Sequence, residues 1–76
     1  MVQAINPKHQ KQVNKAAKAL QSYNTNNDLR DKADDMGDVK AYRRFDNLCQ
    51  KYFDKYLEAC DELPEREKEN IDKQLY

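Results

Sequence analysis

The sequence predicts an all-α helical bundle, on three observations. Its apolar residues recur at spacings of 3, 4 and 7, and no run alternates with β-branched support as a half-buried strand does. Its single Gly and two Pro (Gly37, Pro7 and Pro64) fall where helices start or stop. With 76 residues and 9.0 kDa, the chain 1–76 is expected to form a single helical domain around one small core.

Asn6-Pro7 reads as a helix N-cap followed by proline at the first helical position, where a missing amide donor is no loss and the fixed φ suits the helix. The first helix is expected over about 7–23, with Val13, Ala16, Ala17 and Leu20 on one face. Asn24, Thr25, Asn26 and Asn27 then form a polar break, read as a loop. Thr25 and Asp28 stand at capping-box spacing for a short second helix over about 28–36, in which Leu29, Ala33 and Met36 share a face ahead of Gly37. Asp38 can cap a third helix over about 39–62, which must end before Pro64 because proline disfavours helical geometry in the residue ahead of it. A weaker C-terminal helix over about 64–75 opens with Glu65 and Glu67 near the positive end of its dipole. It has only Ile71 and Leu75 for an apolar face and is expected to fray at Tyr76.

Fourteen basic and fourteen acidic side chains leave no net charge, so the basic excess of a typical nucleic-acid protein is missing, as is the acidic excess of a nucleic-acid mimic. The charge is nevertheless polarised: residues 1–27 hold Lys8, Lys11, Lys15 and Lys18 and no acid, whereas residues 47–76 hold five bases against eight acids. No apolar run approaches the roughly 18 residues of a membrane span, and the N-terminus has no apolar signal core. A cytoplasmic protein without membrane association is the expectation.

Lys8, Lys11, Lys15 and Lys18 form one stripe opposite the apolar face of the first helix. Such a row can track a phosphate backbone, but with no Arg or aromatic residue among the lysines it has no means of reading bases, and a solvated helix face has the same pattern. A helix-turn-helix centred on Gly37 would offer Lys40, Arg43 and Arg44 to a DNA groove, yet it puts Arg43 and Asp46 where side chains should be buried. Asp31, Asp34, Asp35 and Asp38 fail as a calcium loop, because Lys32, Met36 and Arg43 fall on ligand positions. Cys49 and Cys60 lie about 16 Å apart on one helix, beyond disulfide reach, and no Cys or His spacing fits zinc. Both are read as reduced, buried thiols, and no metal or cofactor is expected. His9, Ser22 and Thr25 are the only residues of their types, and no motif sets a nucleophile against a base, so no catalytic residue is assigned and the chain is not expected to be an enzyme. Tyr56, Ala59 and Pro64 stand at tetratricopeptide-repeat spacing, but Lys40, Arg43 and Tyr52 replace the Gly, Tyr and Ala of that repeat, and no second copy follows. No family is assigned.

What remains is the face of the third helix, where Tyr42, Phe45, Cys49, Tyr52, Tyr56, Ala59 and Leu63 step alternately by 3 and 4, widened by Leu48, Phe53, Leu57 and Cys60. The first helix brings only Val13, two Ala and Leu20 to it, so the aromatic surface exceeds what that helix can cover. The expected function is a small non-catalytic protein–protein interaction or regulatory module. It would self-associate as a homodimer, or dock a protein partner, through Tyr42, Phe45, Tyr52, Phe53 and Tyr56. The alternative is a nucleic-acid-binding accessory protein using Lys8, Lys11, Lys15 and Lys18. As core rings, Phe45 and Phe53 would each cost about 3 to 5 kcal/mol on truncation to Ala.

Overall fold

A computed structural model describes residues 2–75, and its fold is the all-α bundle the periodicity predicts. Three helices follow a 3-10 turn at Pro7–His9: α1 (Gln10–Met36), α2 (Val39–Asp61) and α3 (Glu65–Leu75), with no strand among the described residues. The fraying expected at Tyr76 lies outside the described residues. The predicted caps are in place. Asn6 accepts the amide of Lys8 at 3.0 Å through its side chain, and Asp38 accepts that of Ala41 at 3.1 Å. Gly37 sits at φ 71°, the left-handed conformation that ends a helix, with its amide bonded to Asp34 O and the amide of Asp38 bonded to Ala33 O. The chain therefore reverses within two residues, and α1 and α2 pack as an antiparallel hairpin. Gln12 Nε2 donates to Ala59 O at 3.1 Å near one end, and Arg30 meets Asp46 at 2.8 Å towards the other.

The loop expected at 24–27 is absent, and the two predicted helices over 7–23 and 28–36 are one continuous helix of 27 residues. Asn and Thr each cost roughly half a kcal/mol or more in a helix relative to Ala, which is why the segment reads as a break. Tertiary packing overrides that cost. Ala16, Tyr23 and Arg30 recur every seven residues, and Asn26, Asn27 and Ala33 complete the seam that follows α2, so the heptad runs through the polar stretch. Asn26 Nδ2 also returns a hydrogen bond to Ser22 O at 2.8 Å, and Arg30 donates to the Asn27 side chain.

The core is confined to one end. Val2, Val13, Ala16, Ala17, Leu20, Tyr56, Ala59, Cys60, Leu63 and Ile71 form one cluster at the base of the hairpin, where α3 closes it. Towards the turn, only Ala33 and Cys49 are buried. The molecule is accordingly elongated, 45 × 19 × 16 Å, and α3, about 16 Å long, reaches along less than half of it. The base has a further layer that the sequence pattern did not suggest. Residues 2–6 run alongside α3, whose Glu67, Asn70 and Gln74 share one face. Glu67, 2% exposed, accepts the amides of Ile5 (3.2 Å) and Asn6 (2.9 Å), while Asn70 and Gln74 donate to Gln3 O. Glu67 is thus a structural acceptor and more than a favourable charge near the start of α3.

Candidate functional site

The five side chains expected to make the interaction face are divided by the structure. Tyr56 is buried (8% exposed) and donates its hydroxyl to Asp72 at 2.9 Å, so its ring belongs to the base core and is withdrawn from any partner. Burial pushes its phenol far above the ordinary tyrosine range, and its neighbours Cys60 and Asp72 push in the same direction. The other four residues lie on opposite flanks of the buried seam. At about 100° per residue, Tyr42 and Phe53 fall with Val39 and Leu57 inside an arc of about 60°. These four are exposed apolar side chains, Phe53 at 44% and Leu57 at 48%. Phe53 is therefore not the core ring expected from the sequence, and its truncation forfeits only part of a full burial. It packs on Tyr23 of α1 with ring centroids 5.5 Å apart.

Phe45 and Tyr52 lie on the other flank, half-buried, and their rings are covered by cations. The Arg44 guanidinium stands 5.0 Å from the Phe45 centroid, and the ammonium groups of Lys51 and Lys55 stand 5.8 and 5.7 Å from that of Tyr52. Next to Tyr52, the two long helices leave an open groove of about 720 Å³. Small buried residues at facing positions, Ala19 and Ala59, form its floor and explain the gap between the helices.

The lysine stripe is exposed throughout, while the opposite residues Val13, Ala16, Ala17 and Leu20 are buried. It is not a single row with one environment. Lys15 and Lys18 line the groove, with Lys55 on its α2 side and Glu58 and Glu62 towards the base, whereas Lys8 and Lys11 lie outside it. The sequence reading missed Lys55 and its neighbours. The available signal was the spacing of Lys40, Arg44, Lys51 and Lys55 at 4, 7 and 4, a cationic stripe different from the Lys40, Arg43 and Arg44 set of the rejected helix-turn-helix.

Cys49 and Cys60 are both buried and free, and burial raises both thiols above their ordinary range. His9 and Ser22 are separated by about 20 Å of helix, so the only histidine is not brought to the only serine. No group of three metal-ligating side chains occurs among the described residues, and none of the helices there is long and apolar enough to cross a membrane. No protein-family model matches the chain, and no curated protein or solved structure is significantly similar to it.

Proposed function

We propose that this chain is a small non-catalytic interaction module that self-associates through the α2 flank formed by Val39, Tyr42, Phe53 and Leu57. The observation that carries this reading is the row of four exposed apolar side chains on one flank of α2. Tyr56 and Cys60 on this flank are buried in one cluster with Ile71 of α3, and towards the turn the same flank continues for several turns with Phe53 and Tyr42 exposed. The strip from Val39 to Leu57 is about 27 Å long, and a second copy laid along it would supply the apolar cover that α3 supplies at the base. The chemistry of the remaining side chains supports a non-catalytic role, since neither thiol is exposed and the lone histidine and serine are far apart.

The test is light scattering at about 100 μM, where mass action favours the dimer. A dimeric mass that Phe53→Glu returns to the monomer, with the helical circular dichroism unchanged, is the expected result. A monomeric wild type at that concentration overturns self-association. A dimer indifferent to Phe53→Glu overturns this flank as its interface.

A further inference from the structure

We propose that the opposite flank of α2 is a binding site for single-stranded nucleic acid, with Lys40, Arg44, Lys51 and Lys55 on the phosphates and Tyr52 as the platform on which a base stacks. The four cations fall within about 60° of arc and extend along about 22 Å of helix, the length of three to four nucleotides of extended strand. The two carboxylates in this stretch of α2, Asp46 and Asp54, lie outside that arc. Lys15 and Lys18 of α1 and Lys55 of α2 line the same groove, which adds positive charge beside Tyr52. Among the described residues the ion pair formed is Arg30–Asp46, and none of these cations takes part in it. Cations gathered in this way, none of them held in an ion pair among the described residues, are complementary to a polyanion.

A single strand fits this flank better than a duplex, because the cations are interleaved with aromatic rings and a duplex keeps its bases stacked inside. Stacking on an aromatic ring is available to every base of an unpaired strand, and a cationic track beside such rings is the general form of a single-strand site. In the free protein, Lys51 and Lys55 rest over the Tyr52 ring. Their stems are flexible enough for the ammonium groups to move onto phosphates while a base takes the ring face. Glu58 and Glu62 mark the base end of the groove, where a strand would be repelled, so the track runs from Lys55 towards Lys40 and leaves Lys8 and Lys11 outside. This site is independent of the flank that carries Phe53.

Fluorescence anisotropy with a labelled oligothymidylate of about 20 nucleotides tests the proposal on the intact chain. Binding tighter than about 10 μM at about 150 mM salt is expected, and weaker binding of a duplex of the same length. The double variant K51Q/K55Q should lose affinity at least about ten-fold, with a salt slope shallower by about 1.4, whereas K8Q/K11Q should change little. Tyr52→Leu should lose about five-fold or more with the slope unchanged, which a purely electrostatic patch would not show. Should that variant fail to fold, photo-crosslinking of an iodouracil-bearing strand to the unmodified protein replaces it, with the crosslink expected at Tyr52 or Phe45. Absence of binding, equal binding of polyglutamate, dependence on Lys8 and Lys11, indifference to Tyr52→Leu or a crosslink elsewhere each overturns the site. Phe53→Glu leaves the site intact, so failure of self-association and failure of nucleic-acid binding remain distinguishable.

Discussion

At the base of the hairpin, three helices and the extended segment 2–6 enclose Val13, Leu20 and Ile71 almost completely, whereas the half nearer the turn consists of two helices with only Ala33 and Cys49 buried between them. Both halves carry the same helices without interruption, so the helical state itself is common to them and the difference lies in what holds it. The base is held by apolar burial, which scales with area and is not screened by salt as ion pairs are. The distal half is held by a polar seam of Asn26, Asn27, Arg30 and Asp46 and by the capped turn at Gly37. Hydrogen bonds of this kind exchange water contacts for protein contacts and contribute little net stability each. A distal half built in this way keeps its aromatic and cationic flanks displayed on helices that the base anchors.

The largest test of this contrast is the removal of apolar volume at the base. Ile71 is fully buried and is the main apolar residue that docks α3, so Ile71→Ala should cost about 2 to 5 kcal/mol, a substantial part of the stability of any small domain. Leu29→Ala in the distal half, at a residue 36% exposed, should stay within about 0.5 kcal/mol. Denaturant midpoints of the two variants check both values, and equal losses would remove the distinction between the halves.

The residues of the base were largely readable before the structure, and those of the distal half were not. Val13, Ala16, Ala17 and Leu20 show an apolar repeat that any packed helix would show, and they are buried as that repeat requires. The same repeat continues through Tyr23, Asn26, Asn27 and Arg30, but with polar side chains, whose intrinsic preferences pointed to a loop. Only the partner helix reveals that these residues face a seam. Similar reasoning applies to the candidate sites. The stripe of α2 was visible as an aromatic periodicity, and its cations in the spacing of Lys40, Arg44, Lys51 and Lys55, yet which apolar side chains stay bare depends on where α1 and α3 lie, and pattern on one helix carries no information about that. The N-terminal strap was equally hidden, because Glu67 resembles an ordinary helix-opening acid until Ile5 and Asn6 are seen to donate to it.

An alkaline titration sharpens the comparison, with an effect of about 1.4 kcal/mol per pH unit for each group that ionises differently in the two states. Tyr56 and Cys60 at the base and Cys49 in the distal half are all raised in the folded chain, first by burial. For an acid whose folded value is raised, the unfolded chain loses the proton first. The stabilisation is therefore complete below the unfolded value and is lost as pH rises through that value towards the folded one. Stability should be flat from neutrality to about pH 8.5 and then fall as the thiols, and above about pH 10 the tyrosine, ionise in the unfolded state. Cys60→Ala should make the fall between those two values shallower in urea titrations at a series of pH values. A slope unchanged by that substitution would remove the base thiol from the account.

The smallest expected effect is at the polar seam. Arg30 and Asp46 meet at 2.8 Å with side chains 26% and 33% exposed, and the guanidinium also donates to Asn27, so the pair bridges α1 and α2 while remaining partly hydrated. The bond to Asp46 holds the guanidinium above its ordinary range, a direction consistent with a formed ion pair. Partly solvated pairs gain little over water and are screened by salt, so Arg30→Met should cost only about 0.5 to 1 kcal/mol in global unfolding. Its local consequence should be more visible than its global one. The distal amides of α1 and α2 have few apolar contacts behind them, so native-state hydrogen exchange should show those near Asn27 and Asp46 opening faster in Arg30→Met, with the amides around Val13 and Ala59 unchanged. If Arg30→Met instead lowers protection at both ends equally, the hairpin opens as one unit and the polar seam is as much a part of the cooperative core as Ile71.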